Sequence, residues 1–355
     1  MASALGDPEF GYYRRSAASD ADPFGREGDF VTAPEISQMF GELLAAWCVA
    51  VWQAMGAPRP VLLAELGPGR GTLLADLWRA AGAVAPDFTA AARVHLVEQS
   101  AALAARQRAA LQALPAPPPA CWHDTADALP EGPLVLLANE FLDALPVEQY
   151  VRQGGIWRQR QVGPAAGGAG FAFVPGPPVD VRARPDLADL PEAADGEIVE
   201  RRPQAEGLVA RLAGRLAAGA EGAGGGAALF VDYGPARSEL GETLQAIHHH
   251  RPADPLSDVG EADLSAHVDF QRLAAAAASA GARPWGPVAQ GLFLGRLGIA
   301  ARAEALMVRA GSGPAADAIA GAVRRLVHPG RMGVLFKALA VCDPSLPAPP
   351  GFAAR

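Results

Sequence analysis

A chain of 355 residues, half of them apolar, is long enough to bury a large core, and length alone admits one elaborated domain or two of ordinary size. A net charge of -8 argues against a general nucleic-acid binder, and Cys48, Cys121 and Cys342 stand too far apart for a metal-ligand spacing or a disulfide framework. No apolar run approaches the ~20 residues of a membrane span, and Met1–Phe10 has neither a secretory leader nor, with Asp7 and Glu9, a transit peptide, so the expected compartment is a bacterial cytoplasm.

The first thirty residues are polar and turn-rich. Thr32 with Glu35 three residues later reads as a capping box, and Pro34 sits in the first turn, where its missing N–H does no harm. Ile36, Phe40, Leu43, Leu44, Trp47 and Val51 recur at helical spacing, which predicts one core-facing helix. The stretch Gly25–Ser37 reads either as the cap and loop of that helix or as a flap over a ligand.

Val61–Thr72 is the stretch around which the rest is organised. An apolar run carries Glu65 at its end and is followed by Gly67, Gly69 and Gly71 at alternate positions: a buried strand, a tight turn and a helix start. The pattern Glu-x-Gly-x-Gly-x-Gly resembles the first motif of class I S-adenosylmethionine (SAM) dependent methyltransferases. It lacks the G-x-G-x-x-G spacing of a dinucleotide site, and no Gly-Lys-Ser/Thr follows to make a phosphate loop.

The next strand, from Arg93, also ends in an acid, Glu98, placed where a carboxylate accepts hydrogen bonds from ribose hydroxyls. The helix Ala101–Leu114 follows and the run Pro115–Pro119 ends it. A short strand at Ala120–His123 leads to Asp124, which is either a reader of an adenine amino group or the cap of a surface turn. Leu134–Ala138 is a further buried strand, with Asn139, Glu140 and Asp143 clustered at its carboxyl end.

From Val147 to Val174 the pattern changes to short β-rich pieces separated by glycine turns, an inserted antiparallel segment, and Pro175–Pro191 reads as loop. An alanine-rich helix covers Gln204–Ala218, and the glycines Gly222–Gly226 precede a buried strand that ends in Asp232. His248, His249 and His250 are adjacent and cannot all face one ion, so they read as a polar loop and no metal site is expected. His267 opens the helix Gln271–Ala280, either capping it or serving a site. Gly286–Leu294 and Met332–Leu339 are expected as the last strands, with Ala300–Val308 helical between them.

Six stretches then carry a resemblance: Gly25–Gly41, Glu65–Thr72, Asn139–Pro146, Val231–Gly234, Ala266–Phe270 and Met332–Lys337 are similar in kind and order to the MidA family of SAM-dependent methyltransferases. Mitochondrial members of that family act as protein arginine methyltransferases in assembly of respiratory complex I. The resemblance implies an α/β fold of the class I methyltransferase type. The chain is expected to be a single elaborated domain (1–355) with an N-terminal helical extension (1–58), a SAM-binding half (59–150), an inserted antiparallel segment on the substrate side (151–226) and the remainder of the sheet (227–355). It implies SAM as cofactor and arginine in a partner protein, such as a complex I subunit, as acceptor. Leu142, where a second Phe is expected, and the basic stretch Glu200-Arg-Arg-Pro depart from the family pattern.

The expected site has Glu65, Gly67, Gly69, Gly71, Glu98, Asp124 and Asn139 on the cofactor, Glu140 and Asp143 as catalytic carboxylates, and His267 and Asp232 on the substrate side. A guanidinium has no free lone pair at neutral pH, so carboxylates must orient it and take its proton. Methylation of a small-molecule oxygen or nitrogen is the alternative within the class. A non-catalytic assembly factor that retains the fold is the alternative outside it, and an NAD-dependent oxidoreductase is disfavoured by the glycine spacing.

Overall fold

Short apolar runs that can be buried on both faces build the centre of the molecule. They are Val61–Leu66 (β1), Ala92–Val97 (β2), Ala120–His123 (β3) and Leu134–Asn139 (β4). The structure, a computed structural model, describes residues 1–7, 9–13, 32–221, 225–248, 251–257 and 259–352. Between β4 and the next central strand the chain forms Glu148–Gln153 (β5), Ile156–Pro164 (β6), Phe171–Pro178 (β7) and Ile198–Arg201 (β8), then the helix Pro203–Ala217. Gly226–Tyr233 (β9) re-enters the centre, followed by Gln245–His248 (β10), Arg251–Ala253 (β11), Asp263–Ser265 (β12), Arg283–Ala289 (β13) and finally Phe336–Cys342 (β14).

Seven strands form the main sheet in the order β13-β14-β9-β4-β1-β2-β3. Its middle is parallel, and β14 runs antiparallel to both neighbours. This is the α/β architecture expected of a class I methyltransferase. The strand order reverses beside β1, which pairs with β2 on one side and β4 on the other, so a crevice opens at the carboxyl ends there. Register brings those ends level: Leu66 is opposite Val97 and Ala138, Val97 is opposite His123, and Asn139 is opposite Val231.

Alternation along each strand divides the core in two. Val61 and Leu63 face the cluster built on the helices Gln38–Ala54 and Thr72–Val84, while Leu62, Ala64 and Leu66 face the one built on Pro203–Ala217 and Phe270–Ser279. The inserted strands make a separate antiparallel sheet, β7-β6-β5-β8, around Tyr150, Trp157, Leu187 and Val199. A third sheet, β11-β10-β12, packs against the N-terminal segment, where Leu5 of the helix Ala2–Gly6 and the following Tyr12 cluster with Ala246 and Leu264. Among the described residues no helix is long and apolar enough to cross a membrane.

Several elements differ from the sequence reading. The single helix expected from Thr32 is two: Ala33–Ile36, then Gln38–Ala54, separated by Ser37 in an extended conformation (φ -165°). The Thr32–Glu35 capping box does not form, because Glu35 Oε1 instead accepts a bond from Thr72 Oγ1 at 2.5 Å, and the cap of the longer helix is Ser37 Oγ, which accepts from Met39 N at 3.2 Å. The strand expected over Gly286–Leu294 ends at Ala289, where the chain turns into the helix Gln290–Arg296. The helix Pro314–Val327 and the short strands β8 and β10–β12 were not expected from the sequence. Most of Gly25–Ser37, together with His249 and His250, lies outside the described residues.

Candidate active site

The carboxyl ends of β1 to β4 open into a cavity of about 600 Å³. The glycine turn forms one wall. Gly67, Gly69 and Gly71 all take positive φ (+60°, +54° and +83°), a region that side chains rarely enter, so the turn needs glycine for its shape. A Cβ on Gly67 would stand 2.6 Å from Phe141 Cδ2 across the cavity wall. Gly67 and Gly69 line the cavity; Gly71 does not, since it caps the helix Thr72–Val84 and packs against Gln107, 3.3 Å from where its Cβ would be.

Gln107 is a site residue that sequence reasoning missed. Fully buried, it donates from Nε2 to Gly69 O (2.8 Å) and Glu98 Oε2 (3.1 Å) and accepts at Oε1 from Trp122 Nε1 (2.8 Å), tying the glycine turn to the acid of the next strand. The available signal was its place on the buried stripe Leu103, Gln107, Leu111, where a polar residue needs partners. Glu98 is held further by Ser100 N, which donates to its Oε1 at 2.7 Å. Asp124 stands exposed on the rim at the end of β3.

Glu65 is buried against the same cavity, and its Oε2 has no hydrogen-bond partner. Burial pushes its carboxyl up to about 8. Opposite it, at the end of β4, Asn139 Oδ1 is a second buried acceptor without a donor. Glu140 follows in a left-handed conformation (φ +50°), unusual for a residue other than glycine, and its N–H donates to Val231 O at 2.8 Å. Its Oε1 accepts from Ala33 N (2.8 Å) and Asn139 Nδ2 (3.2 Å), and desolvation raises its carboxyl to about 7.

Besides Gly71, three predicted residues do not reach the cavity wall. The left-handed turn at Glu140 sends Asp143 to the far side, where its Oδ1 is buried without a hydrogen bond. Asp232 is buried behind that turn: its Oδ2 accepts from the backbone N–H of Phe141, Leu142 and Asp143 at 3.2, 2.9 and 3.2 Å, and its Oδ1 from Tyr233 N at 2.9 Å. His267 donates its own N–H to Thr243 Oγ1 at 2.8 Å and packs edge-on against Tyr233. Leu5 and Tyr13, from a segment read as polar and turn-rich, do line the cavity, and Tyr13 donates to Asp263 Oδ1 at 3.0 Å.

Residues 43–288 match the family described as "putative S-adenosyl-L-methionine-dependent methyltransferase". The chain belongs to that methyltransferase family. The methyltransferase is 35% identical over 367 residues to the Drosophila melanogaster protein arginine methyltransferase NDUFAF7 homolog, mitochondrial, an alignment spanning 96% of this chain and 80% of that protein. It is 35% identical to the Mus musculus protein arginine methyltransferase NDUFAF7, mitochondrial, across 95% of this chain and 78% of that one. The crystal structure of a Burkholderia thailandensis protein bound to S-adenosyl-homocysteine superposes with a TM-score of 0.84 at 30% identity, covering 99% of this chain and 88% of that chain.

SAM is therefore its methyl donor, and the residues present fit such a ligand. A glycine turn without Cβ atoms admits close approach, an unpaired buried carboxylate and an unpaired amide oxygen complement an aminoacyl ammonium, and acids at the ends of β2 and β3 complement a nucleoside.

Proposed function

We propose that this methyltransferase transfers the SAM methyl group to arginine in a partner protein, acting in the bacterial cytoplasm. The observation that carries the reading is the pair at the end of β4: the unpartnered Asn139 Oδ1 beside the Glu140 carboxyl, two acceptor oxygens in a desolvated cavity. Such a pair matches the N–H groups of a guanidinium better than a hydroxyl or a carbon acceptor. The printed names of the similar insect and mouse proteins support the same acceptor. By resemblance, a respiratory complex I subunit is the first partner to test, approached from the side of the inserted segment 151–226.

We assign Glu65, Gly67, Gly69, Glu98, Asp124 and Asn139 to the cofactor wall, with Asn139 also within reach of the acceptor, and Gly71 to shaping the turn. The bound cofactor supplies an electrophilic methyl on a sulfonium. The protein aligns the acceptor nitrogen with it and excludes water. Glu140 localises the guanidinium charge and takes the proton released as the new C–N bond forms. Its carboxyl at about 7 is poised for that exchange at neutral pH. Both bonds to Glu140 fall on Oε1, so Oε2 is the atom we assign as proton acceptor. Asp143, expected beside Glu140, has no direct part, because it lies behind the turn.

A small-molecule acceptor is the second reading, favoured by the apolar and aromatic lining that Leu5 and Tyr13 add to the cavity. Incubating the purified protein with radiolabelled SAM and lysate of a strain lacking it separates the two. We expect label in a protein and methylarginine on hydrolysis, whereas label confined to the small-molecule fraction supports the second reading. Glu140→Gln is expected to bind SAM normally and lose about a hundredfold to ten-thousandfold in transfer rate. A wild-type rate in that variant removes Glu140 from the mechanism.

A further inference from the structure

The turn that presents Glu140 is gripped from both sides. On its N–H side, Phe141, Leu142 and Asp143 all donate to Asp232 Oδ2. On its C=O side, Arg202 Nη1 donates to Leu142 O (2.8 Å) and Leu145 O (2.6 Å), and Nη2 donates to Asp143 O (3.2 Å). The same guanidinium reaches the segment before the helix Phe270–Ser279, with Nε donating to His267 O at 2.9 Å and Nη2 to Ala266 O. Both side chains are buried and neither lines the cavity.

We propose that Arg202 and Asp232 are positioning residues, which together hold the turn Glu140–Leu145 so that Glu140 faces the cavity, while Asn139 is held separately by the pairing of β4 with β9. The chemistry of each suits the task. A carboxylate only accepts, so it can collect converging amides, and a planar guanidinium only donates, in a fork wide enough to serve carbonyls from two segments. The left-handed φ of Glu140 is unfavourable by itself and persists only where its surroundings enforce it. The clamp ties the start of the turn to the end of β9 and its exit to the start of the helix Pro203–Ala217. Arg202 lies in the basic stretch that departs from the family pattern, and Asp232 was expected on the substrate; both act here through the backbone of the turn. Only the last step, from a held turn to methyl transfer, rests on the acceptor reading above.

The test compares wild type, Arg202→Lys and Asp232→Asn by amide hydrogen exchange at 141–143, by calorimetric affinity for S-adenosyl-homocysteine and by methyl transfer. A lysine ammonium keeps the charge but cannot span the carbonyls. Both variants should exchange those amides about tenfold faster or more while cofactor affinity changes by less than about threefold. Transfer should fall about a hundredfold with the acceptor KM unchanged, as misplacement without lost contact predicts. Millimolar guanidinium added to Arg202→Gly should restore both protection and rate. Unchanged exchange overturns the proposal, as does cofactor affinity that falls in step with protection, or loss of cooperative melting in both variants. Should the wild type label no protein, the acceptor reading fails, and exchange with cofactor affinity still decides this one.

Discussion

Glu65 shows how one side chain links burial to ligand binding. In the free protein its carboxyl is held up to about 8 by desolvation, so the neutral form prevails at pH 7. A cationic ligand favours the ionised form, so binding below pH 8 must release a proton, and affinity should rise with pH until that pKa is passed. Calorimetry in buffers of different ionisation heat measures the release directly; Glu65→Gln should abolish it, and a wild type that releases none places the ligand ammonium elsewhere. The stability sign is opposite to that of a salt-bridged acid. Because the folded pKa lies above the unfolded one, near 4.5, ionisation destabilises the free protein progressively between about pH 4.5 and 8. Glu65→Gln should therefore melt increasingly above wild type across that window. At Gly69 the constraint is backbone shape: at φ +54° a β-branched residue costs about 1–2 kcal/mol. Gly69→Val should lose SAM binding in calorimetry while its circular dichroism stays native.

Between elements, the helix Gln38–Ala54 is joined to the C-terminal half by shared core packing and by one carboxylate. Arg302 Nε and Nη2, from the helix Ile299–Ala310, reach Glu42 Oε2 and Oε1 at 2.6 and 2.9 Å, a bidentate pair that spans most of the sequence. Glu42 is nearly buried, while Arg302 is part-exposed and open to screening, and Arg79 also reaches Glu42 Oε1, at 3.5 Å. A double-mutant cycle with Glu42→Gln and Arg302→Met should give a coupling of about 1 kcal/mol that shrinks in high salt. A salt-independent or zero coupling would show that packing alone joins these helices. The amphipathic spacing of the first helix was plain in the sequence, whereas this attachment was not, since nothing local pairs Glu42 with a residue so distant.

At the scale of the molecule, the inserted sheet β7-β6-β5-β8 has its own small core and should open independently of the main sheet. Trp157, buried with Tyr150, Leu187 and Val199, is its largest member. Trp157→Ala should cost about 3–5 kcal/mol of local stability. Hydrogen exchange across residues 148–201 should accelerate, while affinity for S-adenosyl-homocysteine changes by no more than about twofold. Parallel loss of cofactor affinity would mean that the insertion and the main sheet unfold as one unit.

What the chain declares locally is its sheet and the acids at its strand ends. Apolar runs at Val61, Val94 and Leu134, each closed by Glu65, Glu98 or Asn139–Glu140, already imply a ligand crevice, because a buried parallel strand needs only its own few residues to be recognised and must end at the crevice rim. The cap of the first long helix, the partners of Glu42 and the sides taken by Asp143, Asp232 and His267 depend on residues far away in sequence. The left-handed turn at Glu140 is the decisive case. One backbone angle, enforced by Asp232 from β9 and Arg202 from beyond β8, sends Glu140 into the cavity and Asp143 behind it, and no spacing between two neighbouring acids encodes which way such a turn will face.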